Sequence, residues 1–316
     1  MVFNGASSET SAVTSGVPQG SILGPLLLLI YIDDISQVNL SPGSKLVLYA
    51  DDILLYRPIS SVNDYQMLQA DIDTLSTWST LNTMKFNTGK CKTMLISRKK
   101  CPRLPPIPLS VNGTILEVVP TFKYLGVLLS SDLSWSSHIQ GVCNKARKIL
   151  GLLYRRYYQY SDSRTLCKLY LSLVRPHLDY AAQIWDPHLQ CDINSLESVQ
   201  RFALKVCSKQ WDAGYNELLD MFRLPSLQNR RLYIKLCYLF KIVHGLCYFP
   251  PDVVVQNTNF THSSRPLILH QPFSRTNHFY HSFIPSAVRT WNNLPEYIVC
   301  APNYTSFRTP LRCFFC

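Results

Sequence analysis

Val47-Leu48-Tyr49-Ala50-Asp51-Asp52-Ile53-Leu54-Leu55-Tyr56 places two short apolar runs on either side of a pair of carboxylates. The pattern predicts a strand, a tight acidic turn and a second strand. Adjacent aspartates at such a tip repel one another and lose hydration, so something must offset them. A bound divalent cation would do so, and Mg²⁺ in particular takes one or two carboxylates and fills its shell with water and substrate phosphates. A solvated turn is the alternative, since aspartate is common at hairpin tips.

Upstream lies a Gly/Pro-punctuated loop, Ser15-Gly16-Val17-Pro18-Gln19-Gly20-Ser21, which leads into the apolar run Ile22 to Ile32. Its glycines let backbone approach a ligand closely, and a helix start offers free N–H groups to phosphate or base. That run is shorter than the roughly 20 residues that span a bilayer. It reads as a buried core helix with Pro25 in its first turn.

Together, SGVPQGSILGPLLLLIYIDDI and LYADDILLY resemble motifs B and C of the reverse transcriptases of non-LTR (LINE-like) retrotransposons. The resemblance implies a two-metal Mg²⁺ site that includes Asp51 as direct ligand and Asp52 as its assistant. It also implies a nucleotide and template pocket shaped by Gly16, Pro18, Gln19, Gly20, Tyr49 and Ala50. Downstream, Met84 to Ser97 is similar to motif D, in which Lys90 would protonate the departing pyrophosphate or clamp it; a solvated turn lysine is the alternative. Phe122 to Leu129 resembles motif E, the primer grip, with Lys123, Tyr124, Leu125 and Gly126 at the primer's terminal phosphates. An ordinary strand with a bulge glycine would read the same way.

Between these segments the residues themselves predict further structure. Apolar positions from Met67 through Leu75 and Trp78 to Met84 recur with helical period. Arg98 to Pro108 is a basic, proline-rich surface loop. Val111-Asn112-Gly113-Thr114 is a hairpin signal. Met1 to Thr14 reads as a further strand, turn and strand.

The character then changes from strands to helices. His138 to Tyr160 carries Lys145, Arg147, Lys148, Arg155 and Arg156 with no acid, interleaved with Tyr154, Tyr157, Tyr158 and Tyr160. Cations for phosphates beside rings that can stack are a nucleic-acid signature. A solvated basic face with its tyrosines in the core is the competing reading. Helices are predicted over 164–173, 193–209 and 229–244, with Pro176 and Pro187 as breaks. The stretch LYLSLVRPHLDYAAQIWDP resembles the thumb of the same retroelements. The last seventy residues read as loop-rich, with their histidines on the surface, and FIPSAVRTWNNLP resembles the tail that ends many retroelement reading frames.

The expected architecture is α+β. A partial right-hand polymerase palm, an antiparallel sheet with packed helices, covers 1–135; a helical thumb-like domain covers 136–250 and a loop-rich tail 251–316. The resemblance implies RNA-directed DNA synthesis, with an RNA template and a DNA primer as partners. Motif A and the fingers would lie before residue 1, so the expectation is a truncated polymerase, inactive alone, that needs an upstream fragment. A non-catalytic nucleic-acid-binding remnant or an interaction module remains the alternative.

Composition fits a folded, polyanion-binding chain. Of 316 residues, 47% are hydrophobic and 16% charged, which excludes a disordered tail, and the net charge of +11 favours anionic partners. Eleven irregularly spaced cysteines without a secretory leader suggest reduced thiols in a nuclear or cytoplasmic protein that is neither secreted nor membrane-bound. Cys313 and Cys316 have metal-knuckle spacing but lack a second pair.

Overall fold

The computed structural model describes residues 2–3, 5–7, 20–98, 107–250 and 267–315. The chain divides into two compact units, Met1–Phe122 with Ser131–Leu133, and Lys123–Ser130 with Ser134–Cys316.

In the first unit, β1 (Val2–Phe3) pairs with β2 (Ala6–Ser7) through a turn in which Gly5 takes φ +81°. Helix α1 (Leu23–Ile32) starts where Ser21 Oγ accepts the Gly24 N–H at 3.0 Å, with Pro25 in the first turn, where its missing donor costs nothing. Strands β3 (Lys45–Tyr49) and β4 (Asp52–Tyr56) pair antiparallel over their full length. Leu46, Leu48, Ile53 and Leu55 alternate inward and meet Leu75 and Trp78 of α2 (Val62–Leu81).

A capping box opens α2, and the N–H groups of Ser60 and Ser61 both donate to Asp64 at 2.9 Å. These bonds, that of Ser60 foremost, hold the Asp64 carboxyl down to about 2. Midway along the same helix the buried Asp71 accepts from Ser41 N at 2.7 Å and Ser44 Oγ at 2.5 Å, which fastens the loop leading into β3. The other end of the helix core packs Tyr65 and Ile72 against Leu109, Val111 and Leu116. There β6 (Ser110–Val111) and β7 (Thr114–Ile115) form a hairpin whose turn residues, Asn112 and Gly113, take φ +49° and +76°.

Two expectations are corrected in this unit. Helix α1 is not a buried core helix: of its residues only Gly24 and Ile32 are buried, while Leu23, Leu26, Leu27, Leu29, Ile30 and Tyr31 stand at least half exposed. One stripe, Leu28 and Ile32, meets the core under β3 and β4, and that narrow hairpin cannot cover a helix that is apolar all round. The strands also do not join into one antiparallel sheet. Among the described residues they form separate two-stranded ladders, and β5 (Lys92–Thr93) pairs with β8 (Glu117–Val118) in parallel.

Strands β9 (Thr121–Tyr124) and β10 (Val127–Ser130) lead into the second unit, where Lys123–Ser130 belongs. Its first core packs α3 (Ser136–Tyr157) against α7 (Gln190–Ser208) through Ile139, Cys143, Leu150, Leu196 and Val199. Pro176 does not break the chain's helical course. α4 (Ser163–Leu169) passes through a π turn at Tyr170–Val174 into α5 (Arg175–Asp179), and the wider turn accommodates the ring of a proline at the new helix start. α6 (Ala182–Trp185) follows, and Trp185 Nε1 donates to Tyr180 O at 2.9 Å.

α8 (Tyr215–Phe222) precedes α9 (Leu227–Val243), whose free first-turn N–H groups of Leu227 and Gln228 donate to the Glu197 carboxylate at 3.2 and 2.7 Å. From α9 onward a second core forms, and it overturns the expectation of a loop-rich tail. α11 (Phe283–Asn292) and α13 (Tyr304–Phe315) pack onto α9, α10 (Asn277–His281) lies against α11 and α12 (Glu296–Val299) against α13, with Trp291 and Phe307 stacked at 5.5 Å and both fully buried. His281 is half-buried and stacks on His188 at 4.5 Å, not on the open surface.

This fold gives the WNN stretch a physical role. Trp291 Nε1 donates to Leu267 O at 3.1 Å, and the Asn292 amide both donates to and accepts from the Leu269 backbone, at 2.9 and 3.1 Å. One side chain thus pairs with the incoming chain as a strand neighbour would.

Candidate nucleic-acid and metal site

The register Tyr49↔Asp52 leaves Ala50 and Asp51 as the turn between β3 and β4. Tyr49 and Asp52 form a cross-strand pair on the outward face, and both aspartates are exposed. Ala50 takes φ +51°, a left-handed conformation that costs an ordinary residue roughly 1–2 kcal/mol. Strain of that kind marks sites where backbone position matters more than stability.

Two hard carboxylates on one exposed turn suit Mg²⁺, which binds through one or two such groups and leaves the rest of its shell to phosphate and water. Among the described residues no group of three or more His, Cys, Asp or Glu converges to hold a metal.

Lys90 is exposed at the end of a turn in which its N–H donates to Asn87 O at 2.9 Å, and neither aspartate contacts it. Gly20 takes φ +84° with open space where a Cβ would stand. Gly16, Pro18 and Gln19 lie outside the described residues, as does the centre of the proline-rich loop.

A second cluster sits in the other unit. Leu125 and Gly126, the turn of the β9–β10 hairpin, take φ +45° and +84°. A Cβ on Gly126 would lie 3.1 Å from the Tyr180 ring, and Tyr180 OH donates to Leu125 O at 2.8 Å. Lys123 is exposed beside this turn and Tyr124 is half-buried. His138 of α3 fastens the hairpin from below, its Nδ1 accepting the Leu128 N–H at 3.1 Å while its ring sits 5.2 Å from that of Trp185.

Burial, with a smaller contribution from Lys123, pushes the His138 imidazole below its ordinary range, and an acceptor Nδ1 requires the neutral ring. A depressed folded pKa means that the unfolded chain binds the proton more readily, so stability falls as pH drops below about 6.5. Thermal unfolding followed from pH 7.5 to 5.5 should show a falling midpoint, and His138→Asn should flatten the profile. An unchanged slope in that variant would remove His138 as the cause.

The α3 cations Lys145, Arg147, Lys148, Arg155 and Arg156 are all exposed, with Ile139, Cys143, Ala146, Leu150 and Leu153 turned inward. Three of the four tyrosines are not core, Tyr154, Tyr157 and Tyr160 being 37%, 46% and 87% exposed, while Tyr158 is half-buried and packs against the first core. Arg147 also reaches Ser198 Oγ at 3.0 Å.

Sequence reading missed the partners of this face. Trp211 Nε1 donates to Tyr158 OH at 3.1 Å, Lys209 lies 5.5 Å over the Tyr158 ring, and Phe202 packs beside Trp211 at 6.0 Å. These residues lie fifty positions away on α7 and beyond it, with no local signal to join them to α3.

Residues 1–129 match the family described as reverse transcriptase (RNA-dependent DNA polymerase). The chain is 30% identical over 240 residues to the "RNA-directed DNA polymerase from mobile element jockey" of Drosophila funebris, covering 72% of this chain and 25% of that protein. It is 29% identical over 221 residues to the "Probable RNA-directed DNA polymerase from transposon X-element" of Drosophila melanogaster, covering 66% and 23%. The chain is thus similar to the reverse transcriptases of non-LTR retrotransposons.

The chain spans about a quarter of the length of those relatives. The family match covers the acidic hairpin and the β9–β10 turn, and the similarity to the jockey protein is longer than that matched segment. Among the described residues, no helix is long and apolar enough to cross a membrane.

Proposed function

We propose that this chain is the metal-holding and primer-holding part of an intracellular RNA-directed DNA polymerase. It would act in template-directed addition of deoxynucleotides to a DNA primer paired with RNA. The observation that carries the reading is the exposed Asp51–Asp52 turn, held in register by β3 and β4, within the segment that matches the reverse transcriptase family.

In this reading Asp51 and Asp52 would hold Mg²⁺, which when bound neutralises charge on the phosphates undergoing transfer. The left-handed Ala50 and outward Tyr49 present the carboxylates at the tip, and Gly16, Pro18, Gln19 and Gly20 shape the nucleotide pocket. Lys90, free of the aspartates, is the candidate proton donor or electrostatic clamp toward pyrophosphate. Lys123 beside the Leu125–Gly126 turn would hold the primer's terminal phosphates, with Tyr180 and His138 fixing the turn. The α3 cations and exposed tyrosines would follow the duplex or its single-stranded extension.

Metal-assisted transfer depends on fixed geometry, and a pair of carboxylates on a solvent-exposed turn supplies only part of it. A further acidic ligand and the fingers would come from an upstream polymerase segment.

Mg²⁺-dependent primer extension on an RNA template tests the reading, with the purified chain alone and with the preceding polymerase segment of a relative supplied. Extension only in the second case is the expected result. Salt-sensitive binding of primer–template without extension in either preparation would instead support a non-catalytic nucleic-acid-binding remnant.

A further inference from the structure

A cleft of about 960 Å³ opens in the second unit, with no residue of α3 or of the β9–β10 turn in its lining. Six cations line it, Arg175, Arg223, Arg230, Lys241, Arg308 and Arg312, against a single lining carboxylate, Asp220. At its floor Arg230 Nε reaches Asp179 Oδ2 at 2.6 Å and Arg175 Nε reaches the same oxygen at 3.7 Å. Two guanidiniums therefore share one carboxylate, and Asp179 Oδ1 has no hydrogen-bond partner among the described residues. All three side chains are at most one-quarter exposed. Burial pushes the Asp179 carboxyl up against the pull of Arg230, and pushes Arg175 down with help from Arg230.

Net positive charge half-withdrawn from water is costly unless an anion meets it. On the walls the cations are strung out, not converged on a point. Tyr304, Arg308 and Arg312 recur every fourth residue along one stripe of α13, and Arg230, Ile234, Tyr238 and Lys241 run along α9. Lys241 sits 4.8 Å over the Tyr304 ring, and Tyr233 and Tyr238 line the cleft between Arg230 and Lys241 in sequence, so aromatic residues alternate with charge.

A ladder of cations with interleaved tyrosines suits a chain of phosphodiesters with bases to stack, more than it suits one compact anion. We propose that this cleft is a second nucleic-acid site, one that takes a single-stranded segment of the RNA or DNA the polymerase handles. It rests on the reading that the chain acts on nucleic acid, and it assigns that task to residues outside the segments that resemble motifs B to E.

Cys313 lines the cleft and is exposed, whereas Cys300 is exposed outside it, so the pair reports position. The full chain is titrated with a fluorescein-labelled 12-nucleotide single-stranded RNA, and alkylation of the two cysteines is followed by peptide mapping. Saturating RNA should slow Cys313 several-fold and leave Cys300 unchanged.

Arg308→Glu with Arg312→Glu, both surface changes, should weaken binding at least about tenfold. They should also lower the salt slope by about 1.4, the value for two phosphate contacts on a single strand. Cys313 alkylating at one rate with and without RNA would overturn the proposal. So would protection by inorganic triphosphate equal to that by the oligonucleotide, or by poly-glutamate at matched charge.

The two readings fail separately. RNA that binds without protecting Cys313 removes only the cleft. Protection of Cys313 in the parental chain, when that chain extends no primer either alone or with the added polymerase segment, removes only the polymerase.

Discussion

Asp186→Ala is expected to cost the second unit about 3–5 kcal/mol, the range for stripping one partner from a buried ion cluster. Asp186 accepts from Arg231 Nε at 2.8 Å and from Lys235 Nζ at 2.6 Å, and those side chains are 1% and 4% exposed. Lys235 gains a further bond to Ser286 Oγ at 3.0 Å, while both terminal nitrogens of Arg231 lack partners among the described residues. One carboxylate therefore holds two cations inside, and its loss leaves both unpaired. For a unit of this size the thermal midpoint should fall by roughly 2–4 °C per kcal/mol. Urea unfolding with Trp185 and Trp291 as reporters would measure it, and a loss below about 1 kcal/mol would refute the account. Replacing all three with apolar residues of similar volume should restore most of the stability, because the desolvation cost disappears with the charges.

Asp51→Asn is expected to reduce primer extension by more than about a hundredfold, the upper end of what even outer-shell metal partners cost. The comparison is made in whichever preparation extends a primer, the chain alone or the chain supplied with the polymerase segment of a relative. Asparagine keeps the size of the side chain and the turn but removes the charge that would bind the cation. Affinity for primer–template should stay unchanged, because the α3 cations and Lys123 are in the other unit. Extension at the parental rate would show that this turn does not hold the catalytic metal. Reduced binding together with reduced extension would mean that the substitution had damaged the fold.

Much of this was legible where short-range pattern decides structure. The alternation around Asp51 and Asp52 fixes the inward set Leu46, Leu48, Ile53 and Leu55, because a one-residue slip would expose all four. Asn112-Gly113 names its own turn, and the basic residues of α3 fall opposite an apolar stripe.

Burial of α1 was not legible in the same way, since a wholly apolar helix says that it should be covered without saying that its own unit is wide enough to do so. In the last seventy residues, prolines read as interruptions. Pro285 instead stands in the first turn of α11 and Pro295 immediately before α12, where a missing N–H is harmless. Arg175 and Arg312 share a cleft although most of the second unit's sequence separates them. No periodicity could have joined them. The same holds for Tyr180, which is distant in sequence from the turn it fastens.

The exposed side chains of α1 also bear on how preparations of this protein are judged. Environment-sensitive dyes such as ANS brighten on accessible apolar surface, and six large residues of one helix offer that surface in the native fold. A strong dye signal is usually taken as the mark of a molten state. Here it is compatible with fixed packing, and near-ultraviolet circular dichroism from the buried Trp185 and Trp291 is the observable that separates the two conditions.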